Sequence, residues 1–225
     1  MKEMDFELSE GKVVKVRYED GCHISTSNVL TGEYDVKGAE FVGRPVILDI
    51  GANIGAFSIW ALKRWNPSFI YCYEPLKKNF NQLYENTSNL PEVNTEITLI
   101  NKAVEAPSNK LYLGSKSTAS SSFYDLNEQS IEFEEVESMS VTDLPECNLL
   151  KVDTEGCEVD IITKYLYSHN RPSLILFEYH RDTDRRILDD LLYTFNYRLC
   201  SGFLFGYDLG VLKYATVNML MTGKK

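Results

Sequence analysis

Four acidic residues stand where runs of strand-forming residues end. Val46–Leu48 leads to Asp49, Phe69–Tyr73 to Glu74, Leu149–Val152 to Asp153, and Leu174–Phe177 to Glu178. A fifth run, Ile97–Asn101, leads into Lys102 and Ala103. In an open α/β sheet the ligand sits outside the carboxyl ends of the strands, so carboxylates placed there converge on one crevice. Past Asp49 come Gly51, Ala52, Asn53 and Gly55, and an apolar segment with helical spacing begins at Ala56. A strand, a glycine-spaced turn and a helix present backbone N–H groups to a ligand. Gly51 and Gly55 would permit unusual backbone angles and close approach of that ligand. A dinucleotide fingerprint has a glycine where Asn53 stands, and the charge of Asp49 disfavours a pyrophosphate beside it. The pattern suits a phosphate-free nucleoside that carries a positive group.

Other residues take roles from their places. Glu74, about one βαβ step after the turn, can accept both hydroxyls of a ribose. Lys102 and Ala103 would flank a flat base. His180, just past the strand that ends at Glu178, is the first choice of general base, because imidazole titrates near the working pH. Asp153 and Glu178 are the alternatives. Plainer readings stand beside these. The turn could be a bare connection, Glu74 a helix cap, Lys102 plain surface and His180 a backbone-bonded histidine. Glu155 could accept the N–H groups of the turn at Gly156, and Tyr179 reads as packing.

The elements that must position these residues alternate. Strands Val46–Ile50, Phe69–Tyr73, Ile97–Asn101, Leu149–Asp153 and Leu174–Glu178 are separated by apolar patterns of helical period near Ala56–Arg64, Leu76–Glu85 and Val159–Leu166. Another helix, capped at Asp182 or Thr183, carries Ile187, Leu188, Leu191, Leu192 and Phe195 on one face. Lys110–Leu113 and Val136–Ser140 are short strand candidates around a Ser-rich segment, GSKSTASSSF, expected to be a mobile loop. The tail returns to strands at Tyr197–Cys200 and Thr216–Met221, through turns at Gly206 and Gly210. The expected fold is a doubly wound α/β domain. Its seven-stranded sheet is mostly parallel and ends in an antiparallel C-terminal strand pair. Residues 1–44 read as a small β-rich extension that covers the domain at 45–225. In it Lys12–Tyr18 would form a hairpin with Cys22–Ser25, and Ser27–Tyr34 a short helix or turn.

Bulk properties narrow the class. With Lys+Arg 23 against Asp+Glu 33 the net charge is −10, which argues against a nucleic-acid or anionic-membrane partner. The N-terminus carries acids and no apolar stretch, and no run reaches the length of a membrane span. Five scattered cysteines without a C-x-x-C read as reduced thiols, and the expected location is cytoplasmic. An exposed edge in the β-rich N-terminus would let two subunits pair as a homodimer.

The D-x-G-x-N-x-G pattern resembles motif I of class I S-adenosylmethionine-dependent methyltransferases. LDIGANIGAFSIWA, YCYEPLKKNFNQLYEN, INKAV, LLKVDTEGCEVDII and LILFEYH, in this order, resemble the FkbM family of those enzymes. The resemblance runs from about Tyr34 to His180 and more loosely beyond. It implies S-adenosylmethionine as cofactor and O-methylation of a hydroxyl on a sugar, small molecule or natural-product scaffold. It also implies that Asp49, Gly51, Asn53 and Gly55 hold the methionine part. Glu74 would take the ribose, Lys102 and Ala103 the adenine edge, and Asp153 would sit beside the methyl group. Asp153 and Glu178 also resemble the acidic metal ligands of catechol-type O-methyltransferases. A Mg²⁺ there would lower the acceptor's pKa. Two such carboxylates can equally bind polar substrate, and no metal is expected. The rival readings are a nicotinamide oxidoreductase, a non-catalytic binding protein on a methyltransferase fold, and an RNA methyltransferase.

Overall fold

The computed structural model describes residues 1–113, 132–206 and 208–222. The Ser-rich segment GSKSTASSSF falls outside the described residues. The chain opens with a hairpin of β1 (Lys2–Ser9) and β2 (Lys12–Tyr18), turned at Gly11 with φ of 74°. Helix α1 (His23–Leu30) follows. This corrects the expected hairpin. The partner of Lys12–Tyr18 lies upstream, where Phe6 and Leu8 alternate inward, and Cys22–Ser25 enters α1 instead.

The main domain continues with β3 (Val46–Ile50), α2 (Ala56–Trp65), β4 (Phe69–Tyr73), α3 (Lys77–Ser88) and β5 (Glu96–Ile100). Four short strands make two small pairs, β6 (Ala103–Val104) with β9 (Ser138–Met139), and β7 (Lys110–Tyr112) with β8 (Phe133–Glu135). The chain then runs through β10 (Leu149–Val152), α4 (Glu158–Ser168), β11 (Leu174–Tyr179), α5 (Asp182–Thr194), β12 (Tyr197–Leu204), β13 (Gly210–Thr216) and α6 (Val217–Thr222). Thr216–Met221 is therefore not a strand. The ladder on β11 ends where Ala215 meets Leu174, and the chain beyond Thr216 winds into α6.

The seven-stranded sheet has the order β12-β13-β11-β10-β3-β4-β5, and β13 runs opposite to the other six strands. After β3 the chain winds outward to β4 and β5, then crosses back to β10 on the other side of β3. That reversal opens a crevice at the carboxyl ends of β3 and β10. The central strands read as continuous apolar runs because helices cover both faces. Leu48, Val152, Phe177 and Ile161 pack in one layer, and Ile47, Ile59, Leu149 and Leu176 in the other.

The hairpin packs on this second layer. Phe6, Leu8, Val14 and Val16 join its core, each stabilising the packed state by about 1.5–3 kcal/mol. Asn86 fastens the hairpin to the glycine turn. Its Nδ2 donates to Arg17 O at 3.0 Å and to Ile54 O at 2.8 Å, while Arg17 N donates to its Oδ1 at 2.9 Å.

Candidate active site

The turn after β3 holds Gly51 at φ 76°, Asn53 at 51° and Gly55 at 87°. The amides of Gly51 and Ala52 both donate to Tyr73 O at 2.9 Å, which ties the turn to the end of β4. A Cβ on Gly51 would lie 1.7 Å from Asp153 O, and one on Gly55 would lie 2.7 Å from Leu83 Cδ1. The close approach that demands these glycines is thus between parts of the chain itself. Gly51 meets the tip of β10, and Gly55 meets α3.

Asp49 does not reach the crevice it was expected to rim. Its carboxylate is fully buried beneath the turn. It accepts from Ser58 Oγ at 2.7 Å and lies 3.1 Å from Lys151 Nζ, its cross-strand neighbour on β10. Lys151 also donates to Gly51 O at 2.6 Å and lies 3.6 Å from Asp153. Burial works against the lysine's charge, but Asp49 and then Asp153 outweigh it and hold its pKa above the ordinary value. A charge-balanced pair therefore underpins the turn.

Outside the carboxyl ends of β3, β4, β10 and β11 lies a cavity of about 480 Å³. Of the residues expected from the sequence, Gly51, Ala52, Asn53, Glu74, Lys102, Ala103, Asp153 and Glu178 line it; Asp49, Gly55 and His180 do not. Glu74 is buried at one end, accepting from Asn53 N at 2.8 Å and Leu76 N at 2.9 Å. Burial pushes its carboxyl up to about 7. Lys102 pairs with Glu137 at 3.1 Å, and Ala103 is buried in β6.

The other end is acidic. Asp153 accepts from Tyr34 Oη at 3.2 Å. Glu155, held at φ 58°, faces His180 Nε2 at 3.1 Å. The same nitrogen is 3.6 Å from Glu178 Oε1, so His180 stands behind two carboxylates of the cavity wall. Burial, then Asp153 and Glu155, drive the Glu178 carboxyl far above the usual range. The turn-stabilising role considered for Glu155 falls to Glu158, which accepts from Thr154 N at 2.8 Å and Gly156 N at 3.1 Å. Asp153, Glu155 and His180 each bring one ligating atom within 4.8 Å of the others. Among the described residues that trio is a three-residue group able to hold a metal ion, and Asp153 belongs to it.

Sequence reasoning missed Glu33 and Tyr34. Both lie in the segment after α1 and line the cavity from above. Glu33 is 9% exposed, and burial with the nearby Asp153 lifts its carboxyl to about 7. The signal available in the sequence was an acid next to an aromatic in a segment otherwise read as a turn.

A family model described as the methyltransferase FkbM domain matches residues 49–199. The chain belongs to the FkbM methyltransferase family. The match begins at Asp49 and takes in the glycine turn, Glu74, Asp153, Glu178 and His180. No curated protein matches the sequence. Among solved structures, this FkbM chain is similar to the ribosomal protein L11 methylase of Lactobacillus delbrueckii subsp. bulgaricus. The two share 12% identity at a TM-score of 0.53, over 94% of this chain and 97% of that one. A precorrin-6y C5,15-methyltransferase from Geobacter metallireducens is 13% identical at a TM-score of 0.50, over 93% of this chain and 98% of that one. These likenesses speak to the fold, the class I methyltransferase sheet. The FkbM chain is an S-adenosylmethionine-dependent methyltransferase. No helix among its described residues is long and apolar enough to cross a membrane.

Proposed function

We propose that this methyltransferase methylates a hydroxyl oxygen of a small-molecule or saccharide acceptor. The cavity suits the cofactor in size and in charge. Its volume is in the range of small-ligand sites, and it offers carboxylates where a phosphate-bearing ligand would need cations. Glu74 would take the ribose hydroxyls with the lone pairs left over from Asn53 and Leu76. The turn from Gly51 to Asn53 would hold the methionine part, and Lys102 with Ala103 the adenine edge. Bound there, S-adenosylmethionine supplies an activated methyl group on a sulfonium.

What remains for the protein is to align the acceptor and remove its proton. The observation that carries the reading is Glu178 in the cavity wall with His180 Nε2 3.6 Å behind it. The positive charge of bound S-adenosylmethionine would favour the ionised form of that carboxyl, and once ionised its raised proton affinity suits it to take a hydroxyl proton. Asp153, steadied by Tyr34 and Lys151, would orient the attacking oxygen from the next strand. His180, which does not line the cavity, then acts as a positioning residue through Glu155 and Glu178.

The test is a screen of hydroxylated acceptors with labelled methyl donor, read by mass gain and by the site of the label. Label on oxygen supports the reading. Label on carbon or nitrogen only would overturn it.

A further inference from the structure

The acidic end of the cavity holds more carboxyl groups than a methyl donor can engage. Glu33, Asp153, Glu155 and Glu178 all line it. Asp153 has Tyr34 and Lys151 as neighbours, and Glu155 has His180. Among the described residues Glu33 has no such partner. It is 9% exposed, lines the cavity, and among the described residues its carboxylate has neither a hydrogen-bond donor nor an ion-pair cation. The two lysines whose fields reach it are committed elsewhere. Lys213 Nζ donates to Asp35 O at 3.0 Å, and Lys151 serves Asp49 and Gly51. A largely buried carboxylate that opens on a cavity without a protein partner is one that a cationic ligand can satisfy.

The surroundings say which ligand. S-adenosylmethionine brings a single net positive charge, from an ammonium and a sulfonium less a carboxylate. That charge leaves acid to spare once it lies against the turn and Asp153. The cavity is also lined by apolar side chains, Ile24 and Val29 on α1 and Phe205 and Leu209 of the β12–β13 connection. Ile24 and Phe205 are exposed at its mouth. We infer that Glu33 is a specificity residue for a protonated amine on the acceptor, whose apolar body lies against Ile24, Val29, Phe205 and Leu209. The acceptor class is then an amino alcohol or amino-bearing saccharide or phenol. This inference rests on the reading of the same cavity as the acceptor site.

The experiment measures binding of matched pairs to the full-length protein saturated with S-adenosylhomocysteine. The pairs are tyramine and 4-ethylphenol, glucosamine and glucose, and 4-(aminomethyl)cyclohexanol and 4-methylcyclohexanol. At least one amine is expected to bind about tenfold or more tighter than its neutral partner, as a charge-assisted contact in a desolvated site should. In Glu33→Gln that advantage disappears while affinity for S-adenosylhomocysteine is kept. Equal binding within every pair, or no binding by any amine, overturns the inference. So does an advantage that survives Glu33→Gln, or a variant that loses the cofactor product, which would assign Glu33 to the cofactor. Methyl transfer to the bound amine is scored separately. Label on nitrogen would refute the hydroxyl reading and leave amine recognition standing.

Discussion

Lys151 and Asp49 face each other across adjacent parallel strands, 3.1 Å apart and both shut off from solvent beneath the glycine turn. The lysine also carries the Gly51 carbonyl at 2.6 Å, so one buried cation fixes both the strand end and the loop above it. Removing it leaves the Asp49 carboxylate with Ser58 alone. Lys151→Met is expected to destabilise the protein by about 3–5 kcal/mol, read by urea denaturation. The double variant Asp49→Asn, Lys151→Met removes both charges and should recover part of that loss. Native stability in the single variant would show that the pair does not support the turn.

Gly51 gives a second prediction. Any side chain there needs a left-handed backbone and puts Cβ 1.7 Å from Asp153 O. Neither β3 nor β10 can yield without breaking its ladder, where Asp49 and Lys151 are in register. Gly51→Ala should therefore cost well over ~1 kcal/mol of stability. It should also displace Asp153, and calorimetry should find S-adenosylmethionine binding weakened with it. Gly11, at φ 74° with open space around it, is the control. Gly11→Ala should show only the backbone cost and leave cofactor affinity intact.

The acids of the cavity predict a pH dependence of defined sign. Burial raises Glu33, Glu74 and Glu155 from 4.5 to about 7. The folded chain thus holds protons that the unfolded chain has released between pH 4.5 and about 7. Stability without ligand should be full below that window and fall as pH rises through it. A cationic ligand prefers the ionised acids, so affinity for S-adenosylmethionine should rise over the same window and binding should release protons. Melting curves with and without the cofactor, and calorimetry in two buffers of different ionisation enthalpy, measure both slopes. A ligand-free stability that climbs with pH through this window would contradict the burial of these carboxyls.

Much of this was legible in the sequence because the central strands are covered on both faces. A run such as Val46–Leu48 has no other stable place, and its end marks the crevice. Glu74, Asp153 and Glu178 followed from that rule and do line the cavity. Asp49 obeyed the same rule and still turned under the loop, because the lysine beside it sits on β10, far away in the sequence but in register with it across the sheet. Glu33 and Tyr34 were out of reach for a similar reason. Their place depends on how the N-terminal segment folds over the sheet, and no local period records that packing. Thr216–Met221 reads as a strand because branched and apolar residues suit one, yet the partner strand β11 begins at Leu174 and offers nothing further to pair with beyond Ala215.

His180 separates a direct base from a residue that acts through others. It stands 3.1 Å from Glu155 and 3.6 Å from Glu178 while lying outside the cavity wall. His180→Ala should lower kcat by about 10²-fold, the scale of one misplaced proton-transfer group, with cofactor affinity retained. The imidazole also lowers the proton affinity of Glu155, against the larger effect of burial. Without it that carboxyl rises further, so the Glu155 titration followed by NMR should move to higher pH. A histidine that merely packs would leave that titration in place. His180→Gln, which keeps a donor toward the carboxylates but cannot be charged, should restore part of kcat and none of the shift. Normal turnover in both variants would remove His180 from the reaction and leave the carboxylates of β10 and β11 to carry it.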